Sequence, residues 1–406
     1  MFEYLKEYFD YKALLICLAL VVIGLLSVYS ATFDVGAAAA FEKQLVWAGI
    51  GLVVLIGSAI VPLKTIQRVS LPVYGVTLFV LLVILVMGHT VAGSKSWLGV
   101  AKGFGGQPSE FAKVTTVLAL SAFLARTSIS LSQPKHLLLA VGIVVLPMAL
   151  ILAEPDLGTS VVFFLMLLPV LYWAGASNFI LAAILSPLIA AAGALLGTWV
   201  FLVSLVVAGA LLYRTRENRF AVAVAFALTL AVGLSVQAVY ERLPSYQQKR
   251  ISTFLNPGSE QKGAGYNVYQ SKVAIGSGGF FGKGYLQGTQ TQLNFIPEQW
   301  TDFIFCVPGE EFGFVGASVV IGLFTALLLH AVNVAGLSKN KFASAASIGI
   351  AGIFAVHILI NIGMSMGLLP VIGIPLPFLS YGGSALVANM AMVGLLMNFY
   401  SNRKEH

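Results

Sequence analysis

Charged residues are scarce in this chain. Only 10% of its 406 residues are charged, whereas 58% are hydrophobic and the mean hydropathy is +0.92. A soluble globular domain carries about 25% charged residues, so this composition excludes a soluble protein and predicts one that crosses a membrane many times. The first apolar run, 13–31, is long enough to span a bilayer and further runs follow it, so we do not interpret it as a cleaved signal peptide.

Residues that form cross-links or bind metals are also few. Cys17 and Cys306 both lie in apolar segments without a partner at metal-ligand spacing, which excludes a disulfide framework and a zinc site. The five histidines are scattered and show no metal-ligand spacing either. The net charge of +7 informs the orientation of the helices, and no nucleic-acid partner is predicted from it.

Apolar segments of about twenty residues, the length that crosses a bilayer, predict about 12 transmembrane helices in a single integral membrane domain, 1–406. The stretch 179–213 is too long for one helix, so we divide it into a hairpin near Gly197. The fold class is therefore an all-α polytopic membrane protein. The predicted helices cover 13–31, 45–61, 71–88, 111–126, 137–153, 157–173, 179–196, 198–213, 220–241, 303–331, 345–368 and 381–400.

The basic residues orient these helices. An even number of helices puts both termini on one side, and that side receives thirteen of the 23 lysines and arginines. Because basic residues concentrate in cytoplasmic loops, we predict cytoplasmic termini and an extracytoplasmic loop at about 242–302. The thirteen are Lys6, Lys12, Lys64, Arg68, Arg126, Lys135, Arg214, Arg216, Arg219, Lys339, Lys341, Arg403 and Lys404, and the short loops opposite hold only Lys43, Lys95, Lys102 and Lys113.

The long loop 242–302 has a composition typical of folded segments. It contains nine aromatic residues, too many for a disordered tail. Tyr266, Tyr269 and Val273 recur at helical spacing, which predicts a short amphipathic helix at the membrane surface. Nine glycines predict tight turns and a close approach of the backbone to a ligand. A folded lid that binds no ligand is the alternative.

Asp302 stands where this loop meets the next apolar helix. An ionisable group there is costly to desolvate, which makes it a candidate functional residue. Because Thr301 is a suitable N-cap, we expect Asp302 in the first helical turn, ionised and basic enough to abstract a proton. The alternative is that it only stabilises the start of the helix.

Other acidic residues on the outer side have roles that spacing alone leaves open. Glu110 and Lys113 share a helical face, so both a structural ion pair and a catalytic role are compatible with their spacing. Asp156 follows a proline in a tight turn, where we favour helix capping. Glu310 and Glu311 project about 80° and 180° around the predicted helix from the aspartate, so at most one of them shares its cavity.

Several short motifs lie along nearly the whole chain. They are QPSEFAK at 107–113, EPDLGTS at 154–160, GAGYNVYQSK at 263–272, IGSGG at 275–279, GKG at 282–284, GTQTQL at 288–293, TDFIF at 301–305 and PFLSYGGS at 377–384. In sequence and in order these motifs together resemble the SEDS family (shape, elongation, division and sporulation), in particular its RodA branch. Trp300 departs from the pattern, because a histidine commonly precedes the Thr-Asp pair.

The resemblance implies a SEDS-type helical bundle with ten core helices, to which this chain adds a hairpin within 179–241. It implies a peptidoglycan glycosyltransferase that polymerises lipid II into a glycan strand during cell elongation. Its expected location is the bacterial cytoplasmic (inner) membrane, with the active site on the extracytoplasmic side. A class B penicillin-binding protein and other elongation proteins are the expected partners. The family's essential aspartate falls on Asp302, and its Pro-Ser-Glu-x-x-Lys pattern falls on Glu110 and Lys113.

This chemistry requires one base and a source of positive charge. The sugar of lipid II is α-linked to its diphosphate, and the glycan product is β-1,4-linked, so one inverting displacement is sufficient. Asp302 is the expected general base. No cofactor is required with certainty, although Mg²⁺ or Mn²⁺ is possible, and no metal ligands are predicted. A lipid II flippase and a non-catalytic scaffold for the penicillin-binding protein are the competing interpretations. The predicted substrate-binding residues are Glu110, Lys113, Lys272, Gln270, Ser271, Lys283, Gln292 and Glu310.

Overall fold

The computed structural model describes residues 9–33, 38–87, 89–91, 94–99, 105–216, 218–243, 245–255, 264–297 and 299–405. Nine helices within these ranges are long and apolar enough to cross a membrane, and two shorter apolar helices accompany them. The predicted all-α polytopic fold is therefore confirmed, and the chain is a multi-pass membrane protein. The number of 12 membrane spans remains a prediction.

The elements follow one another in a simple order. Three short strands lie between the third and fourth helices. In chain order the elements are α1 (Tyr11–Phe33), α2 (Ala38–Ile60), α3 (Leu63–Met87), β1 (His89–Val91), β2 (Ser94–Gly99), β3 (Gly105–Gly106), α4 (Pro108–Leu124), α5 (Pro134–Ala153), α6 (Leu157–Trp173), α7 (Asn178–Leu196), α8 (Thr198–Arg214), α9 (Arg219–Arg242), α10 (Ser245–Leu255), α11 (Ala264–Ser277), α12 (Thr289–Gln292), α13 (Cys306–Glu311), α14 (Gly313–Leu337), α15 (Lys341–Ser365) and α16 (Gly383–Ser401).

The chain forms two compact units. Unit 1 comprises Met1–Val170 and Tyr266–His406, and unit 2 comprises Leu171–Gly265. In unit 1 the helices α15 and α16 are buried along most of their length. Small residues on α15 let its neighbours approach closely, because an added side chain at Gly349 would meet Val117 of α4. This close packing of α4 on α15 positions the site described below.

The three strands form an antiparallel sheet in the order β1, β2, β3. His89 pairs with Trp97 and Leu98 pairs with Gly106. The apolar pattern did not predict these strands, because they are short and alternate poorly. The sheet leads the chain directly into α4.

In unit 2 the apolar stretch 179–213 forms two helices, α7 and α8, which Gly197 separates as predicted. Small residues recur every four positions on α7 and α9, and this spacing allows close helix packing. The hydroxyl oxygens of Ser186 and Thr229 lie 2.8 Å apart between these helices. An added side chain at Gly233 would collide with Phe201 of α8. That α7 to α9 contain an inserted transmembrane hairpin remains a prediction.

Two expectations about the segment after the long loop are wrong. Asp302 is not in a first helical turn, because residues 300–305 form turns and Phe305 is the N-cap of α13. The helix predicted at 303–331 is also broken, since α13 ends at Glu311 and α14 begins at Gly313. The break has a physical reason. The amide of Phe314 donates to the carbonyl of Gly279 at 2.9 Å, so the start of α14 bonds to the loop rather than to the turn before it.

The loop 242–302 contains three helices, α10, α11 and α12, although residues 244, 256–263 and 298 lie outside the described ranges. The helix expected around Tyr266, Tyr269 and Val273 is α11. Its side chains Ser271 and Ala274 are fully buried, whereas Tyr269 is exposed. The position of α11 at a membrane surface remains a prediction.

Candidate active site

The first turns of α4 carry an ion pair. Pro108 occupies the first turn of this helix, where a missing N–H is tolerated. Glu110 and Lys113 then point to the same side, and the lysine Nζ lies 2.8 Å from the glutamate Oε2. Both residues are almost completely buried, at 3% and 1% exposure. A buried pair seldom adds net stability, because desolvating two charges offsets their attraction.

His357 of α15 is the third member of this cluster, and the sequence did not identify it. Its Nε2 lies 2.9 Å from Nζ of Lys113, and its Nδ1 lies 3.0 Å from the carbonyl oxygen of Pro375. A carbonyl oxygen only accepts hydrogen bonds, so Nδ1 carries the proton and Nε2 accepts from the lysine. The imidazole is therefore neutral. A polar side chain in an apolar helix was the signal that could have identified it.

The turn that carries Asp302 is bonded to α15 through its backbone. Nδ2 of Asn361 donates to the carbonyl of Asp302 at 2.9 Å and to that of Ile374 at 2.8 Å. Asn361 is fully buried, whereas Asp302 is partly exposed. His357 and Asn361 are four residues apart, so they lie on one face of α15 and about 6 Å apart along its axis. The lysine cluster and the Asp302 turn thus bind adjacent turns of one helix.

The motif at 377–384 holds the same turn from the other side. The hydroxyl of Ser380 donates to the carbonyl of Thr301 at 2.6 Å, and the amide of Tyr381 donates to that of Trp300 at 2.8 Å. Gln44 of α2 in turn donates to the carbonyl of Ser380 at 3.2 Å. Residues distant in sequence therefore fix three consecutive carbonyls, those of residues 300 to 302.

Glu310 and Lys283 bind each other. The Nζ of Lys283 lies 2.7 Å from Oε1 of Glu310, and the amides of Gln290 and Thr291 donate to the same carboxylate at 2.9 and 3.0 Å. The glutamate thereby caps the short helix α12. Burial alone would raise the pKa of Glu310, but the hydrogen bonds from Lys283, Gln290 and Thr291 outweigh it and lower the pKa. Both residues were predicted to bind substrate.

Glu311 is buried beside it in a different environment. Its Oε1 accepts from the hydroxyl of Ser30 and from the amide of Leu286 at 3.1 Å. Its Oε2 has no hydrogen-bond partner among the described residues. Burial raises the pKa of Glu311, the neighbouring Glu310 adds to the effect, and the hydrogen bonds only partly offset it. Gln292, another predicted site residue, donates to Ser30 Oγ at 2.9 Å.

The loop before α12 lies directly on α13. The amides of Lys283 and Gly284 donate to the carbonyls of Glu310 and Glu311 at 3.1 and 3.0 Å. Gly282 has a φ of +82°, and an added Cβ there would collide with the carbonyl of Glu311. A glycine-rich backbone therefore packs closely here against another part of the chain, and the predicted close approach to a ligand stays a prediction.

Three predicted residues lie on α11 with different environments. Ser271 is fully buried and its hydroxyl donates to the carbonyl of Ser365 at 2.9 Å. Lys272 is exposed, with its aliphatic chain next to Gly367. Gln270 is partly buried. Of the three, Lys272 is the one that presents a charge to the surroundings.

The turn at 154–160 connects α5, α6 and α4. The preferred capping role of Asp156 is confirmed, because its Oδ1 accepts from the amide of Thr159 at 3.0 Å and its Oδ2 accepts from Gln107 Nε2 at 2.9 Å. Glu154 is buried, and burial together with the charge of Asp156 raises the pKa of Glu154 to about 7. Across the described part of the chain, no group of three or more His, Cys, Asp or Glu residues is placed to hold a metal ion.

Comparison with known proteins agrees with the motifs. A family model for FtsW, RodA and SpoVE, described as cell cycle protein, matches residues 8–206 and 194–405. The chain belongs to this family. The FtsW/RodA/SpoVE relatives include the peptidoglycan glycosyltransferase RodA of Treponema pallidum (strain Nichols), which is 35% identical over 96% of this chain and 97% of the relative. The peptidoglycan glycosyltransferase MrdB of Escherichia coli (strain K12) is 34% identical over 98% and 95%.

Solved structures of the FtsW/RodA/SpoVE family share the fold. One chain, from a study of how a peptidoglycan synthase complex coordinates polymerization and crosslinking, superposes with a TM-score of 0.74 at 25% identity, covering 98% of this chain and 99% of that one. The rod-shape-determining protein RodA of Thermus thermophilus superposes with a TM-score of 0.65 at 23% identity, covering 98% of both chains. The predicted family and its helical bundle are confirmed.

Proposed function

We propose that this chain is a peptidoglycan glycosyltransferase that polymerises lipid II during cell elongation. The names of the Treponema and Escherichia relatives, which match it over nearly their whole length, support the reaction class. The observation that carries the mechanism is the position of the Asp302 turn. Asn361 of α15 binds the backbone of this turn, and His357, one helical turn away on α15, binds the buried Lys113. The same helix therefore holds both a carboxylate and a source of positive charge.

In the proposed reaction Asp302 is the general base. It takes the proton from the 4-hydroxyl of the acceptor N-acetylglucosamine as that oxygen attacks the anomeric carbon of the donor. The new carbon–oxygen bond forms while the bond to the diphosphate breaks, and undecaprenyl diphosphate leaves with the electron pair. The configuration changes from α to β in this single step, so no covalent enzyme intermediate and no proton donor for the leaving group are required.

We assign to lysines the stabilisation of the negative charge that develops on the diphosphate leaving group. Lys113 offers directed N–H groups, since Glu110 and His357 hold its ammonium in place, and such fixed donors stabilise developing charge without reorganisation. Lys272 is exposed and adds net positive charge. The other predicted substrate-binding residues are Gln270, Ser271, Lys283, Gln292 and Glu310. Four of them bind other parts of the chain, and their contact with substrate stays a prediction. The steps above are assigned to residues of the chain itself, and no group of three or more His, Cys, Asp or Glu residues in the described ranges is placed to hold Mg²⁺ or Mn²⁺.

The proposed setting is the bacterial cytoplasmic membrane, with both termini in the cytoplasm and the loop 242–302 outside. The distribution of lysines and arginines supports this orientation. A class B penicillin-binding protein is the proposed partner. The structural relative from a peptidoglycan synthase complex supports such an assembly.

The decisive experiment supplies lipid II in detergent to the purified complex with its partner. Detergent has no leaflets, so a flippase would form no polymer, whereas the enzyme forms glycan strands. Asp302→Asn should reduce polymerisation by about 10²- to 10⁴-fold, the size of a general-base contribution. The exposed Glu241→Gln is the matched control and should retain full activity.

The outcomes separate the three functions. An intact wild-type complex that forms no polymer would favour the flippase. Full polymerisation by Asp302→Asn would reject this residue as the base. Cells that elongate normally with Asp302→Asn, but not with substitutions on partner-facing helices, would favour the scaffold.

A further inference from the structure

Two buried polar residues of α15 touch none of the reacting atoms in the reaction described above. His357 and Asn361 are 2% and 0% exposed, in a helix whose mean composition is strongly apolar. A polar side chain at such a depth needs hydrogen bonds to offset its desolvation. Each of the two residues makes two such bonds, and in each case one bond goes to the segment 374–375.

The bonds of His357 fix the direction of Lys113. The protonated Nδ1 of His357 donates to the carbonyl of Pro375, and the bare Nε2 accepts one N–H of the lysine at 2.9 Å. The carboxylate of Glu110 adds an ion-pair contact, with its Oε2 2.8 Å from the lysine Nζ. An ammonium group has three N–H donors. The bond to His357 fixes one of them, and the ion pair with Glu110 holds the group beside α4.

The bonds of Asn361 fix the turn that carries Asp302. Both partners of its side chain are backbone carbonyls, those of Asp302 and Ile374. A carbonyl only accepts hydrogen bonds, so the nitrogen Nδ2 of the side-chain amide faces them. Both N–H groups are used. The side chain thus ties the backbone of the proposed base to the residue next to Pro375.

We propose that His357 and Asn361 are positioning residues that set the distance between the two reacting sides of the site. His357 aims the ammonium of Lys113 at the leaving group, and Asn361 holds the Asp302 turn at the acceptor. The two side chains bind the carbonyls of neighbouring residues, Asn361 that of Ile374 and His357 that of Pro375, so they act together. This inference rests on the proposed glycosyltransferase function.

A matched pair of substitutions at His357 separates the bond to Lys113 from the bond to Pro375. In His357→Gln the side-chain oxygen reaches the position of Nε2 and still accepts from Lys113, while the donor to Pro375 is lost. In His357→Asn the side-chain amide reaches the position of Nδ1 and still donates to Pro375, while the acceptor for Lys113 is lost. Polymerisation of lipid II by the full-length protein with its partner gives kcat and KM.

We expect His357→Asn to lower kcat about tenfold, the value of one hydrogen bond to a charged group. It should also weaken inhibition by added undecaprenyl diphosphate to a similar extent, because that probe occupies the leaving-group position. His357→Gln should restore most of both properties. The reverse order, with His357→Asn active and His357→Gln inactive, would show that His357 only braces the 374–375 segment.

Asn361 has a structural counterpart in the same unit. Asn398 of α16 is equally buried, and its Nδ2 donates to the carbonyls of Ala59 and Val61 at 2.9 and 2.6 Å. Asn361→Leu and Asn398→Leu should lower the melting temperature in detergent by similar amounts. Only Asn361→Leu should also lower kcat, about tenfold or more, with KM less affected.

These results are distinguishable from a failure of the proposed function. If the wild-type complex forms no polymer, or if Asp302→Asn is fully active, the glycosyltransferase mechanism is wrong. If the wild type is active and Asp302→Asn is not, but Asn361→Leu and Asn398→Leu have equal kcat, the mechanism stands and the positioning role is wrong.

Discussion

The two units use buried polar side chains in different ways. Unit 1 buries charged groups, whereas the buried polar groups described in unit 2 are neutral hydroxyls and amides. Both units consist largely of apolar helices, so composition alone does not explain the difference. The buried charged residues of unit 1 include Glu110, Lys113, Glu154, Glu310 and Glu311, and the buried polar residues of unit 2 are Ser186, Ser204, Thr229, Gln247 and Thr253.

The energetics indicate which polar contacts serve function. A hydrogen bond between neutral side chains in a membrane protein contributes on average about 0.6 kcal/mol, so the Ser186–Thr229 contact is a modest packing aid. A buried ion pair such as Glu110–Lys113 gains little net stability. A protein that retains such a pair without a gain in stability has another use for it, and in membrane helices that use is commonly binding or chemistry.

The largest effect is expected from breaking the Glu110–Lys113 pair. Lys113→Met alone leaves the buried carboxylate of Glu110 without its partner and should destabilise the protein by about 3–5 kcal/mol. Glu110→Gln alone leaves the buried ammonium of Lys113 without its partner and should have a similar effect. The double substitution removes both charges and should recover most of the melting temperature in detergent. Lipid II polymerisation should remain lost in all three variants.

The double variant tests the comparison between the units directly. If Glu110→Gln with Lys113→Met is both stable and active, the pair is only a packing element, as the contacts of unit 2 are. Recovery of stability without recovery of activity assigns the pair to function.

The next effect concerns the two adjacent glutamates of α13, whose pKa values move in opposite directions. Glu310 has a lowered pKa, so its stabilisation is present above its usual pKa and is lost as the pH falls. Glu310→Gln should therefore destabilise the protein at neutral pH by about 1.5–3 kcal/mol, the value of hydrogen bonds to a charged group. It should also flatten the acid side of the melting curve plotted against pH.

Glu311 should behave in the opposite manner. Its raised pKa favours the protonated form, so its contribution is present at low pH and is lost as the pH rises. Glu311→Gln resembles the protonated carboxyl and should be tolerated better than Glu310→Gln at neutral pH. Equal destabilisation by the two substitutions, with the same pH dependence, would contradict the assigned hydrogen bonds.

Local patterns predicted the helices well and the long-range contacts poorly. The i, i+3 spacing of Glu110 and Lys113 was compatible with the ion pair that they form, and Asp156 was correctly expected to cap α6. His357 could not be found in this way, because its partner Lys113 lies 244 residues away in the sequence. Asp302 was wrongly placed in a helix, since its turn is held by bonds from the distant residues Asn361, Ser380 and Tyr381, which local spacing does not reveal.

In unit 2 a moderate effect is expected from filling the space at Gly233. A leucine there would collide with Phe201 and press on Ala190, and overpacking of this kind costs about 1–3 kcal/mol. The melting temperature in detergent should fall accordingly. The kcat of the folded fraction should stay at the wild-type level, because no residue of the proposed site lies in this unit. A loss of kcat at unchanged melting temperature would mean that unit 2 takes part in the reaction.

The smallest effect is expected at Ser186. Ser186→Ala removes its bond to Thr229 but leaves that hydroxyl its own bond to the carbonyl of Ala225 at 2.8 Å, so no buried donor is left without a partner. The loss should be about 0.6 kcal/mol or less, which is a shift of a few degrees at most in the melting temperature. A loss as large as that of Lys113→Met would mean that unit 2 also depends on specific polar bonds, and the distinction between charged functional contacts and neutral packing contacts would fail.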